Sequence, residues 1–227
     1  MLKFAPGSNG GPLPISDQAT LNALQHRALI RRGLWLNAAS LIYNTLEGII
    51  ALVAGLLAGS VALVGFGADS MIEVTASVAA QWRLRAHFDP LRRERVEGNT
   101  VRIIGWCFLL LALYVAYDSI RSLVLQERPS ESNVGIALTA LSVMIMPLLA
   151  RAKRRVAMDV GSRALVAEAR QTSLCAYLSA IVLCGLALNA VLGWWWADPV
   201  AALCMVPIIA KEGFDGLRRE TAGDDCC

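Results

Sequence analysis

Residues 59–83 read GSVALVGFGADSMIEVTASVAAQWR, a run of apolar and small residues interrupted by only two carboxylates, Asp69 and Glu73. A hydrophobic run of this length is long enough to cross a bilayer as a helix. The two acids stand four residues apart, so on a helix they project from one face, one turn above the other. A charged side chain at the centre of a bilayer costs roughly 3 kcal/mol. Intramembrane acids therefore face a bundle interior and mark ion or proton paths, and the rest of the chain must supply helices that wrap this pair.

Working outward, residues 34–57 form a first apolar segment, broken by Asn37, Asn44 and Glu47 and joined to the central stretch by a tight Ala58-Gly59-Ser60 turn. Downstream, a charged loop is expected over Arg83–Asn99, a third span over 100–125 with Asp118 toward its far end, and a short polar loop over 126–133. A fourth span over 134–150, a basic loop over Arg151–Arg155 and a fifth span over 162–192 follow. Gly193-Trp194-Trp195-Trp196 then reads as a turn at the membrane interface, where Trp is enriched. Asp198, expected as a helix N-cap, opens a sixth span ending near Lys211, with Pro207 placed to kink it. Upstream, Thr20–Arg32 has the pattern of a short basic amphipathic helix lying on the membrane face, behind a Pro- and Gly-rich lead-in expected to be disordered. The fold class is thus all-α and polytopic, with six transmembrane helices. Residues 1–33 are the N-terminal segment, 34–212 the transmembrane domain and 213–227 a short cytoplasmic tail.

The 227 residues are 56% hydrophobic and 17% charged, with a mean hydropathy of +0.52. That balance excludes an ordinary soluble domain and suits a compact multi-span bundle. The net charge of +3 is small. Its distribution is informative: Lys and Arg concentrate in the N-terminal segment, in 83–99, in 151–155 and in the tail, whereas the alternate loops hold only Arg128, with Arg121 at a helix end. The positive-inside rule then puts both termini in the cytoplasm and requires an even number of spans, in a plasma or inner membrane. Of six cysteines, four fall in apolar segments and two end the chain, which is no secreted disulfide framework. The N-terminus lacks an apolar core with a cleavage site, so no cleaved signal peptide is expected.

The polar residues inside the expected spans form stripes. Gln171 and Cys175 are four apart on the fifth span, with Glu168 three residues before Gln171; Asn44 and Glu47 share a face of the first. Should these stripes converge on Asp69 and Glu73, they offer oxygen ligands and one thiolate. That set suits a borderline or soft divalent ion such as Zn²⁺ or Cd²⁺ better than Mg²⁺ or Ca²⁺. The metal-site residues expected from the sequence are Asp69, Glu73, Gln171, Cys175 and Glu47. Cys175 alone would read as a small buried apolar residue, and Cys107, Cys184 and Cys204 are read as packing residues. Asp118 is expected to cap or to pair with Arg121, and Arg170 to face the cytoplasmic vestibule or to neutralise Glu168. The terminal Cys226-Cys227 pair is a weak metal candidate, and His26 and His87 lie outside the spans. Gly48, Gly55, Gly65 and Gly67 allow close helix approach.

The chain resembles the membrane domain of the cation diffusion facilitator family. The residues that carry the resemblance are Asn44, Gly59-Ser60-Val61-Ala62-Leu63, Gly67-Ala68-Asp69-Ser70-Met71-Ile72-Glu73, Ser162-Arg163-Ala164-Leu165, the stretch from Gln171 to Ser179, and Trp196-Ala197-Asp198-Pro199-Val200-Ala201. The resemblance implies a dimeric six-span exporter of Zn²⁺ or a related divalent ion, exchanged for protons. It also implies a site made by two acids on the second span and two residues four apart on the fifth. Asp69 and Glu73 match the first pair, Gln171 and Cys175 the second. Here Glu73 replaces the commoner Asp, and Gln171 and Cys175 replace a His or Asp and an Asp. The family's cytoplasmic metal-sensing domain is expected to be lacking after the sixth span, so a homodimer would form through the transmembrane helices. The expected partners are divalent metal ions, protons and the lipid bilayer, with no nucleic acid and no enzymatic activity. The alternative is a membrane protein that binds or senses metal without transporting it. An intramembrane enzyme has no support: no Ser-His pair and no paired His lie in the spans.

Overall fold

The computed structural model describes the backbone of residues 15–85, 90–160 and 163–221, and side chains of 31–33, 35–75, 77–78, 102–159 and 169–218. The described residues form six helices: α1 (Ile15–Ala58), α2 (Val61–Arg85), α3 (Pro90–Leu125), α4 (Asn133–Val160), α5 (Arg163–Leu192) and α6 (Ala197–Thr221). There are no strands among them.

The expected short connections on one side are present. Gly59 adopts φ 68° and Gly193 φ 66°, the left-handed region that ends a helix at little cost only for a residue without a Cβ. On the other side the helices overrun the expected limits. The segment expected to be a charged loop is largely helical, since α2 continues to Arg85 and α3 begins at Pro90. The basic run Arg151–Arg155 lies inside α4, and α6 runs through Pro207 to Thr221. Lys, Arg and Glu are good helix formers, so polar sequence ends a span without ending the helix. For the same reason the segment expected as a separate amphipathic helix is continuous with the first span in the 44-residue α1. The Pro- and Gly-rich lead-in up to residue 14, His26, His87 and the Cys226-Cys227 pair lie outside the described residues or side chains.

Four helical segments among the described residues are long and apolar enough to cross a membrane: Arg31–Ala58, Arg102–Leu125, Asn133–Asp159 and Ala169–Leu192. The surface agrees with a bilayer as solvent. Leu57 and Val191 are 82% and 80% exposed, in company with Trp35, Leu113, Tyr117 and Val124. The interior by contrast holds Glu47, Asp69, Glu73, Thr139, Ser142, Lys153 and Thr172, all buried. Apolar groups outside and polar groups inside reverse the arrangement of a soluble protein.

α1 packs extensively on α2 and α4 on α5, antiparallel sequence neighbours in each case, while α6 packs chiefly on α3. α2 lies against α1, α3, α5 and α6, which places its two acids inside the bundle. The close α1–α2 crossing depends on the absence of side chains: a Cβ on Gly67 would sit 2.7 Å from the backbone nitrogen of Leu52, and one on Gly48 would sit 2.8 Å from Met71 Sδ. The dry core (Leu63, Phe66, Val115, Val182, Met205) fills the bundle between the acids and the helix ends near Gly59 and Gly193.

Candidate metal centre

Asp69 and Glu73 are carried one turn apart on α2, and both are buried. Cys175, fully buried on α5, meets them there. One ligand atom from each of Asp69, Glu73 and Cys175 lies within 4.8 Å of the other two. The Cys175 thiol donates to Glu73 Oε2 at 2.7 Å, and Gln171 Nε2, one turn earlier on α5, donates to Glu73 Oε1 at 2.7 Å. The four residues aligned by helical spacing are therefore in one place. The spacing works because four residues on each of two packed helices return to the shared seam.

Asp69 Oδ2 is buried with no hydrogen-bond partner, as are Asn44 Oδ1 and Glu47 Oε2. Buried polar atoms are nearly always paired, so these unmatched acceptors beside a carboxylate–thiol cluster single it out as the candidate cation site. Glu47 is 1% exposed and close enough to interact electrostatically with Asp69, Glu73 and Cys175. It stands outside the three-residue cluster, however. Its Oε1 accepts a hydrogen bond from Ser142 Oγ of α4, and Ser142 Oγ lies 2.8 Å from Tyr43 OH. Ser142 and Tyr43 were invisible as site neighbours in the sequence, because nothing in residue spacing says that α4 lies against that face of α1.

A narrow cleft of about 20 Å³ leads to this cluster, with room for about one water molecule. Asn37, Ser40 and Asn44 of α1, Glu73 and Ser77 of α2, Lys153 of α4, and Gln171 and Thr172 of α5 line it. Asp69 and Cys175 lie one turn deeper. The cleft thus opens at the end of the bundle where α1 starts, α2 and α4 finish and α5 starts. That end carries Arg31, Arg32, Arg151, Arg154 and Arg155. Lys153, buried, donates to Thr172 Oγ1 at 3.2 Å on the wall of the cleft, within the segment expected as a basic loop.

The remaining expected residues sort as follows. Arg170 is exposed. The side chain of Glu168 lies outside the described residues. Asp118 pairs with Arg121 at 3.4 Å, and Arg121 reaches Glu127 at 2.8 Å. Both contacts are on the surface at the far end, remote from the cluster. Cys107, Cys184 and Cys204, read as packing residues, are instead exposed on the outside of the bundle; a small thiol is compatible with either side of an apolar helix, and sequence hydropathy cannot tell the two apart. Asp198 lies within the first turn of α6 rather than ahead of it, and its carboxylate caps a different helix, α2.

Residues 38–221 match the family model described as the cation efflux transmembrane domain. Among curated proteins, the chain is 25% identical to an uncharacterized transporter of Methanocaldococcus jannaschii, over 78% of this chain and 64% of that protein. It is 30% identical to an uncharacterized transporter of Synechocystis, over 65% of this chain and 49% of that protein. It is 25% identical to the cation-efflux pump FieF of Shewanella oneidensis, over 73% of this chain and 58% of that protein. The chain spans between about half and two thirds of the length of these relatives.

Proposed function

The chain belongs to the cation efflux family of multi-pass membrane transporters, and on that premise we propose that it exports a divalent heavy-metal ion of the Zn²⁺ or Cd²⁺ class in exchange for protons. The observation that carries this reading is the buried cluster of Asp69, Glu73 and Cys175 at the end of a cleft open to the basic end of the bundle. In this reading all six helices span the membrane, both termini are cytoplasmic, and the cleft is the inward entrance. The protein acts in a plasma or inner membrane, as a homodimer joined through its transmembrane helices.

The ion binds between Asp69, Glu73 and Cys175, with Gln171 turning its amide oxygen inward and Glu47 Oε2 available beside them. A thiolate among carboxylates favours a borderline or soft ion over Mg²⁺ or Ca²⁺. One contact supports proton coupling. The Cys175 thiol donates to Glu73 Oε2 at 2.7 Å, so a proton is held by the two groups that would both have to become ligands. Metal and proton compete for the same donor atoms, since a ligand must be deprotonated to hold metal. Arrival of the ion expels the proton; protons returning when the site faces outward expel the ion.

The test is metal-stimulated proton flux in proteoliposomes across Zn²⁺, Cd²⁺, Co²⁺, Mn²⁺ and Fe²⁺. Flux with Zn²⁺ or Cd²⁺ is expected in the parent protein, and none in Asp69→Ala. Cys175→Asp is expected to shift preference from Cd²⁺ toward Zn²⁺. Saturable metal binding without flux would replace the transporter reading by that of a metal-binding or sensing protein.

A further inference from the structure

At the end of the bundle opposite the cleft, Asp198 does something its position in the sequence does not require. It is carried by α6 and is 1% exposed. Yet its carboxylate accepts hydrogen bonds from the first turn of α2: Ser60 Oγ at 2.5 Å, Val61 N at 2.9 Å and Ala62 N at 3.4 Å. Ser60 Oγ in turn receives the N–H of Leu63 at 3.1 Å, and Ser60 O that of Val64 at 3.1 Å. Every early N–H of α2 that a helix leaves without an internal partner is thereby satisfied, two of them by a residue of another helix. A carboxylate at a helix N-terminus also meets the positive end of the helix dipole, and buried charge-assisted bonds of this kind are the strong ones.

The neighbouring elements are tied at the same end. Ser130, in the α3–α4 connection, donates to Ala58 O of α1 through its backbone nitrogen at 2.8 Å and its hydroxyl at 3.2 Å. Asn189 of α5 donates to Pro129 O at 3.2 Å. These bonds join α1, α5, α6 and the α3–α4 connection at this end, and a cleft lined by α1, α2, α4 and α5 opens at the other. α2 carries Asp69, nine residues along from Ser60, or about 13 Å at helical rise. The end of α2 that Asp198 holds therefore belongs to the same rigid rod as the metal site. α2 packs chiefly on α1 and α6 chiefly on α3, so the Asp198 bonds cross from one closely packed pair to another.

We propose that Asp198 is the lock on the outer side of the transport path. Its carboxylate holds the N-terminus of α2 against α6 while the site faces inward, and these bonds open when the site turns outward. Asp198 is a positioning residue: it touches no ion and acts through α2. The proposal rests on the transport reading above, and the experiment separates the two.

Cys175 is the reporter. In the full-length chain with the other five cysteines replaced by alanine, modification of Cys175 by a membrane-impermeant thiol reagent is measured separately from the inner and outer faces of proteoliposomes, with and without Cd²⁺. The parent is expected to react slowly from the inner face, more slowly still from the outer, and to be protected by Cd²⁺. Absence of Cd²⁺ protection in the parent counts against Cys175 as a ligand and so against the site, whatever Asp198 does. Asp198→Ala is expected to raise the outer-face rate roughly tenfold or more, the population shift that loss of a charge-assisted bond brings, with no rise at the inner face. Ser60→Ala, which removes one donor of three, and Asp198→Asn, which keeps an acceptor without the charge, are expected to give smaller rises in the same direction. An unchanged outer-face rate in a monodisperse variant overturns the lock. So does an equal rise at both faces, which is what general loosening of the bundle would produce. Should Asp198→Ala not fold, the Ser60→Ala and Asp198→Asn rates decide by the same criteria.

Discussion

Both oxygens of Glu73 are engaged, one by the Gln171 amide and one by the Cys175 thiol, while Asp69 keeps Oδ2 buried and unmatched. The two acids that look alike in sequence thus stand in different surroundings: Glu73 gathers the α5 side chains, and Asp69 keeps one oxygen without a partner. On the proposed reading Cys175 is the soft ligand, so Cys175→Ser should weaken Cd²⁺ binding by roughly tenfold or more, at least what loss of a supporting ligand contact costs, and Zn²⁺ binding by less. Calorimetric titration of both ions checks this; equal losses would mean that the thiolate does not select the metal. Glu47 is bound to Ser142 on one side and open on the other. Ser142→Ala should lower stability by about 1 kcal/mol, the scale of a side-chain hydrogen bond between membrane helices. Glu47→Gln should reduce metal affinity severalfold, because an amide beside the cluster is a weaker partner for a cation than a carboxyl group that can ionise. A lowered melting temperature with unaltered metal affinity would make Glu47 a packing residue.

Among the elements, α2 needs the closest neighbours, because the acids it carries have to be kept from lipid on every side. Its close crossing with α1 at Gly48 and Gly67 serves that end. Gly67→Val should destabilise the protein by roughly 1–3 kcal/mol, the range for overpacking a filled interior, since the atom its Cβ meets is backbone nitrogen and cannot swing away. The melting temperature in detergent reports it; no change would mean that α1 and α2 separate there without cost. The overrun of α2, α3, α4 and α6 past the apolar limits has a consequence as well. It carries Ser77 and Lys153 on rigid helix rather than loop, and so builds the walls of the cleft from fixed elements.

For the molecule as a whole, the two ends of the bundle differ among the described residues: at one, Asp198, Ser130 and Asn189 bridge neighbouring elements, and at the other a polar cleft opens between α1, α2, α4 and α5. A transporter caught in this form has its site open to one compartment. Ser77→Cys, in the cysteine-free background, should react with an impermeant thiol reagent from the face that bears the basic helix ends and not from the opposite face. Reaction from the opposite face alone would reverse the orientation assigned to the bundle.

The membrane solvent, the helical class and the acid pair of α2 are determined by sequence alone, because each rests on local quantities. Hydropathy is additive along the chain, the positive-inside bias is a count, and a spacing of four fixes a shared helix face whatever the helix packs against. Gln171 and Cys175 were legible for the same reason. What the tertiary structure decides is what crosses between helices: that Ser142 holds Glu47, that Lys153 turns into the cleft, that Cys107, Cys184 and Cys204 face outward, and that Asp198 caps α2 rather than its own helix. None of these could be read from spacing, since a side chain's direction across a seam depends on which neighbour the bundle places there.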